Sequence, residues 1–266
     1  MDRTPQIKAI SSRDNPLLMR LRKLLADPAA YRKLGVVWVE GEHLCSSYVH
    51  RGLVVHQAVI TEAAWELPAL RQLVGRADSV VVVPTALMAG LSALESPASV
   101  GFVVPWPGAG ELQADAPSVV LDRLQDAGNV GTILRSAAAF GFTQVLALKG
   151  TAALWSSKVL RAGMGAHFGL HLVEGLDDEA LAAFRLPLLA TSSHAAQALQ
   201  EVALPWPCAW VMGHEGQGVS AALMSRCAQS LRIPQPGGEE SLNVAAALAV
   251  CCYESARQRA VAPRRS

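Results

Sequence analysis

Charge is scarce in this chain. Asp, Glu, Lys and Arg make up 17% of its 266 residues, and aromatic rings 5%. Against 51% hydrophobic residues, so little charge excludes a disordered chain, which lacks the apolar surface to offset its ordering entropy. A bilayer-spanning stretch of roughly 20 apolar residues is also missing; the longest C-terminal run, Leu242 to Tyr253, is shorter. The opening MDRTPQIKAISSRDNP has no apolar core for a signal peptide, and a cytoplasmic protein is expected. The cysteines, at 45, 208, 227, 251 and 252, form no CxxC and have no His at metal spacing. That pattern argues against a zinc site or a disulfide frame, so no metal is expected. Cys251 and Cys252 lie in an apolar helical run and read as core.

What is present suits an α/β fold. The mean hydropathy of +0.27 fits parallel strands covered on both faces by helices, which read as continuous apolar runs. Net charge is only +1, but it is unevenly spread. Residues 1–33 hold eight Lys/Arg against three Asp, and residues 254–266 hold four Arg against one Glu, leaving −7 on the other 220. Basic ends beside a more acidic body suit contact with a polyanion; a solvated helix and a frayed tail would give the same count.

The Pro/Gly-dense stretch from Pro105 to Pro117 breaks every periodicity and reads as a linker. The chain therefore divides into residues 1–105, a linker over 106–117, and residues 118–266. Before the linker, a basic helix over 14–26 precedes strands over 36–40, 54–60, 79–83 and 99–104. Helices over 41–50, 65–74 and 85–94 separate them, giving a small α/β domain. After it, strands are expected over 118–124, 144–150, 167–173, 187–192, 208–215 and 230–234, with helices over 129–140, 156–164, 177–184, 219–227 and 242–259. Six strands alternating with helices predict a largely parallel sheet with ligands at the strands' carboxyl ends.

Three loops combine glycines with polar groups. Asp126-Ala127-Gly128-Asn129-Val130-Gly131 opens a helix carrying Arg135, and Asn129 reads as its N-cap. Gly213-His214-Glu215-Gly216-Gln217-Gly218 lets backbone approach a ligand closely, yet lacks the Lys-Ser/Thr of a P-loop and is not G-x-G-x-x-G. Ile233-Pro234 through Ser241-Leu242-Asn243 opens the last helix, with Ser241 as its expected N-cap and Asn243 in the first turn. Singly, each loop has an ordinary structural explanation: a cap, a turn, a surface charge.

Together they are specific. Asn129-x-Gly131-x-x-x-Arg135, then Gly213-x-Glu215-x-x-Gly218, then Ile233-Pro234 with Ser241-Leu242-Asn243 and an Ala-rich helix, resemble the three motifs of the SpoU/TrmH methyltransferases of the SPOUT superfamily, in order and spacing. Ser157 to Phe168 is similar to that family's intermediate segment. Ile10 to Pro16 and Val39-Glu40-Gly41 resemble, more loosely, the ribosomal-protein-like substrate-binding domain many members carry. Two departures stand out: His214, where members commonly have Asn, and the Gly/Glu-rich stretch 237–240.

The resemblance implies a C-terminal α/β domain with a parallel sheet and a trefoil knot, a small N-terminal α/β RNA-binding domain, and a homodimer formed through the C-terminal domain. It implies transfer of a methyl group from S-adenosylmethionine to a ribose 2′-hydroxyl of RNA, ribosomal rather than transfer RNA; the alternative is a non-catalytic RNA-binding or ribosome-assembly protein. Thr191, Gly213, Gly218, Ile233 and Leu242 would contact the cofactor. Asn129, Arg135, Glu215, Ser241 and Asn243 would form the catalytic set: Asn129 and Arg135 toward the ribose and its phosphate, Ser241 and Asn243 toward the nucleophilic oxygen. A guanidinium with pKa above ~12 is a poor base, so Arg135 is expected to act electrostatically.

Overall fold

A computed structural model describes residues 5–92, 96–237 and 241–261. Arg3, Gly238, Glu239, Glu240 and the tail arginines Arg264 and Arg265 lie outside the described residues. The contacts divide the chain into two compact units, residues 1–108 with 155–168, and residues 109–154 with 169–266.

The first unit runs β1 (Gln6–Ala9), α1 (Pro16–Ala26), α2 (Ala30–Leu34), β2 (Val36–Glu40), α3 (Glu42–His50), β3 (Val55–Thr61), α4 (Glu62–Trp65), α5 (Pro68–Val74), β4 (Ala77–Val83), α6 (Thr85–Ala89) and β5 (Val100–Pro105). Its sheet has the order β1-β4-β3-β5-β2. The pairs β1–β4 and β3–β4 are parallel, β3–β5 and β2–β5 antiparallel. Helix α1 starts where the Asn15 side chain accepts the Leu17 N–H and Pro16 sets the first turn; Leu18, Leu21 and Leu24 form its buried face. In β5, Gly101 lets the Trp38 ring lie against the strand, since a Cβ there would stand 2.2 Å from that ring. Strand β1 was not expected from the sequence; it is four residues long, and all four are exposed.

The second unit begins with β6 (Ser118–Asp122), α7 (Ala127–Ala139) and β7 (Gln144–Leu148). Helix α8 (Ser157–Gly163) follows but belongs to the first unit, where it packs on β2. The second unit continues with β8 (His171–Leu176), β9 (Leu188–Thr191), β10 (Ala209–Gly213), α9 (Ala221–Met224), β11 (Gln229–Leu231) and α10 (Val244–Val261). The sheet order is β11-β9-β10-β6-β7-β8, and every pairing is parallel. Strands β6 and β7 are buried along their whole length, which is why they read as unbroken apolar runs. Between α10 and β10, the buried Trp210 donates its Nε1–H to Ser255 Oγ at 3.0 Å.

The helix expected over 65–74 starts at Pro68, that expected over 85–94 ends at Ala89 with residues 93–95 outside the described residues, and three further elements change. The helix over 177–184 is a 3-10 helix over Asp178–Ala183 that buries only Leu181, too little apolar surface for a longer helix. The strand over 167–173 starts later, because Ala166–Gly169 forms a 3-10 turn and β8 begins at His171. The helix over 219–227 contracts to the single turn α9, which buries only Leu223.

The order of the sheet positions the site. The chain lays β7 and β8 on one side of β6, and β10 and β9 on the other, so direction reverses between β6 and β10. Asp122 and Gly213, the last residues of these strands, are neighbours in register. Crevices at such switch points, outside the carboxyl ends, take ligands in open α/β sheets. Among the described residues, no helix is long and apolar enough to cross a membrane, and no His/Cys/Asp/Glu cluster is placed to hold a metal ion.

Candidate active site

The three loops meet at this crevice through side-chain hydrogen bonds. Helix α7 is capped by Asp126 rather than Asn129: Asp126 Oδ1 accepts the Asn129 N–H at 2.7 Å. The helix therefore starts before Asn129, whose side chain is free for other work. In a capping box, a Glu three residues into the helix returns to the cap's own N–H. Here Glu215, from the loop after β10, does so: Oε1 accepts the Asp126 N–H at 3.1 Å and Oε2 the Gln125 N–H at 3.3 Å.

Asn129 Nδ2 donates to Glu215 Oε1 at 3.3 Å, and its Oδ1 accepts from Asn243 Nδ2 at 2.9 Å. The amide orientation is forced, because a carboxylate only accepts. Asn243 Oδ1 in turn accepts the Ala245 and Ala246 N–H groups at 2.9 and 3.2 Å, so Asn243, not Ser241, caps α10. Ser241 lies two residues too early, since the helix begins at Val244. A relay Glu215–Asn129–Asn243 thus joins loops from three distant parts of the chain.

Burial would raise the Glu215 pKa, but hydrogen bonds from its own N–H, from Asp126, from the Asn129 amide and from Gln125 outweigh it, so the carboxyl sits below its ordinary value. Glu215 is an ionised acceptor that builds the site, not a base poised near neutrality. Asp122, 1% exposed, ties the same loops from beneath. Its Oδ2 accepts the Ser220 N–H at 2.6 Å and its Oδ1 the Arg123 Nε–H at 2.8 Å. Its burial is likewise outweighed, by Arg123 and Ser220, and its pKa is lowered. Arg123, held at φ +60°, reaches on to Gln217 Oε1 at 3.2 Å.

The loop after β10 closes on itself. The Gly218 N–H donates to the His214 carbonyl at 2.8 Å, and Gly218 has φ +69°. A Cβ on Gly213 would stand 2.1 Å from the Gly218 carbonyl carbon. His214 Nδ1 accepts the Gly216 N–H at 3.0 Å.

Beside the relay lies a cavity of about 760 Å³. All five cofactor candidates, Thr191, Gly213, Gly218, Ile233 and Leu242, line it, as do Glu215, Ser241 and Asn243. Ser241 is exposed and makes no hydrogen bond among the described residues. Asn129 joins through the relay. Arg135 stands apart: exposed on α7, six residues beyond Asn129 and so about 9 Å along the helix axis. It makes no hydrogen bond or ion pair among the described residues. Sequence reasoning missed Asp122, Asp126, Arg123 and the Ser192–His194 turn. An acid closing an apolar strand was the available signal for Asp122. The cysteines offer no nucleophile, because burial pushes Cys208 up to about 12 and Cys227 to about 11, and Cys45, Cys251 and Cys252 higher still.

Residues 116–253 match the SpoU rRNA Methylase family. The chain belongs to that family. An uncharacterized tRNA/rRNA methyltransferase of Synechocystis is 32% identical over 96% of both chains. A crystal structure of an RNA 2′-O ribose methyltransferase superimposes with a TM-score of 0.80 at 30% identity, covering 96% of this chain and 100% of that one. The SpoU methyltransferase AviRb from Streptomyces viridochromogenes, in complex with the cofactor AdoMet, shares the fold at a TM-score of 0.82 and 24% identity, over 94% of this chain and 100% of that one. In this SpoU member, the three motif loops are therefore one hydrogen-bonded unit at the β6/β10 switch point.

Proposed function

We propose that this SpoU member transfers a methyl group from S-adenosylmethionine to a ribose 2′-hydroxyl of structured RNA, with ribosomal RNA the preferred class. The observation that carries the reading is the Glu215–Asn129–Asn243 relay beside the cavity at the switch point. The cavity fits the cofactor: about 760 Å³ lies within the roughly 300–1,000 Å³ of small-molecule sites. Its wall combines apolar side chains, Ile233, Leu242 and Met212, with the glycine-rich backbone of Gly213–Gly218. Thr191, Gly213, Gly218, Ile233 and Leu242 would hold the cofactor, which when bound supplies an electrophilic methyl group.

The protein must align the ribose oxygen and manage a proton on a very weak acid. Asn243, fixed by its cap and by Asn129, and Ser241, which makes no hydrogen bond among the described residues, orient the oxygen. Asn129 and Arg135 take the ribose and its phosphate. Arg135 stabilises the developing alkoxide, while phosphate or solvent accepts the proton. Its distance from Asn129 favours a homodimer that builds each site near the twofold axis, through a surface including Val250 and Tyr253 of α10, which are 40% and 57% exposed.

The trefoil knot belongs to the same reading. After β10 the chain crosses to add β11 outside β9, and Arg232 then bonds back to Gln197 and Leu199 of the loop preceding β10. The first unit, with exposed Lys8, Arg13 and Lys23, would be the RNA-binding domain. Calorimetry of the full chain with S-adenosylmethionine tests the reading. Binding without added metal is expected; no binding, even with RNA present, leaves the non-catalytic assembly protein.

A further inference from the structure

His214 lies in the Gly213–Gly218 loop, and its ring has a structural task there. Its Nδ1 lies 3.0 Å from the Gly216 nitrogen, with geometry that makes Gly216 the donor. A backbone N–H can only donate, so the ring nitrogen facing it carries a lone pair, and the proton of the neutral imidazole sits on Nε2. The ring makes no other hydrogen bond or ion pair among the described residues, and Gly216 N–H has no second partner there.

The two ends of the loop are closed by backbone, Gly218 N–H to His214 carbonyl. Gln217 is held by Arg123, and Glu215 by Gln125, Asp126 and Asn129. Among the described residues, the His214 imidazole is the hydrogen-bond partner of Gly216. His214, Glu215, Gly216 and Gln217 all line the cavity.

We propose that His214 is a positioning residue for the cofactor: its neutral ring holds the Gly216 N–H and keeps the Gly213–Gly218 loop in the shape that faces the cavity. The proposal rests on the reading that this cavity takes S-adenosylmethionine. Protonation turns Nδ1 from acceptor into donor, which breaks the bond and sets two N–H groups against each other. Loss of the Nδ1 lone pair therefore weakens cofactor binding. An Asn at 214 accepts the N–H two residues on in an Asx turn and cannot titrate, so it keeps the loop shape at every pH.

The other charged or titratable groups near the loop are Glu215, Asp126, Arg123 with Asp122, and His194 in the turn after β9. The first four are committed to the bonds already described. His194 is the rival proton acceptor, since it lines the same cavity.

Calorimetric titration of the full chain with S-adenosylmethionine over a pH window from about 8 to about 5.5 separates these possibilities. Wild type should weaken about five- to tenfold across it, the effect of losing one hydrogen bond. His214→Asn should stay within about twofold, and His214→Ala should be weak throughout by about the same five- to tenfold factor. His194→Gln should retain the wild-type step. The cofactor's own ionisation is common to all four proteins. A wild-type affinity flat across the window, a step that persists in His214→Asn, or one that vanishes in His194→Gln would overturn the proposal. Wild type that binds no cofactor at any pH would instead overturn the reading of the cavity, and this proposal with it. Thermal melts at both pH limits confirm that each variant is folded.

Discussion

Arg135 and Glu215 are both charged, yet the fold treats them in opposite ways. Glu215 is spent on Gln125, Asp126 and Asn129, whereas Arg135 is exposed and makes no bond among the described residues. A fork of donors left free suits an anionic oxygen that arrives with the substrate. If Arg135 stabilises charge, Arg135→Lys and Arg135→Ala should both slow single-turnover methylation by about 100- to 1000-fold, with cofactor affinity little changed. A Lys variant that recovers rate at high pH would restore the base role, since an amine sheds its proton more readily. Asp122 makes a different prediction. Its folded pKa is lowered from the usual 3.8, so the stability it contributes is present above that value and lost as pH falls through the lower folded value. Acid denaturation should therefore steepen below about pH 4, and Asp122→Asn should flatten that limb while lowering stability at neutrality. Equal acid slopes in the two proteins would remove Asp122 from the account.

The elements owe their placement to bonds made between loops. Helix α7 is capped by Asp126, but the cap's own N–H is closed by Glu215, 89 residues further on. Local reading put the cap at Asn129 because Asn is a strong capping residue and the true partner is far away in sequence. The same happened at α10, where Ser241 and Asn243 are both competent caps and only the position of Val244 decides between them. The loop after β10 shows how little freedom remains. At Gly213, a methyl group would meet backbone of Gly218 and Val219 at 2.1 Å, and backbone cannot rotate aside. Gly213→Ala should cost about 1–3 kcal/mol of stability and weaken cofactor binding by tenfold or more, roughly the factor each 1.4 kcal/mol represents. Calorimetry and thermal melts read both; near wild-type values would mean that the loop can open.

At the scale of the whole molecule, charge and apolar surface point to partners. Lys8, Arg13 and Lys23 are exposed in the first unit. If they meet RNA phosphates, the triple Ala variant should lower the slope of log affinity against log salt by about 2 to 3; an unchanged slope would place the RNA elsewhere. Point variants are the sharper tool here than removal of residues 1–105, because α8 packs on β2 of that segment and would lose its support. Val250 and Tyr253 leave apolar surface on α10. Light scattering at micromolar concentration should report a dimer of the 28.1 kDa chain, and Tyr253→Glu should shift it toward monomer. A wild-type monomer would sink the dimer proposal.

The sequence alone determined the α/β class, the six-strand alternation and the motif loops, because buried parallel strands must be apolar throughout and tight loops must carry glycine. Those are local demands, legible one residue at a time. It did not determine the exposed strand β1, whose residues bury nothing, nor the 3-10 turn over Asp178–Ala183. Nor could it show that Asn129 lies between Glu215 and Asn243, or that Arg135 stands off the cavity wall. These depend on pairings across some 90 to 115 positions, set when β10 docks beside β6 and α10 packs on α7. A hydrogen bond's partner is chosen by distance in space, and only the tertiary structure brings those atoms within 3 Å or so.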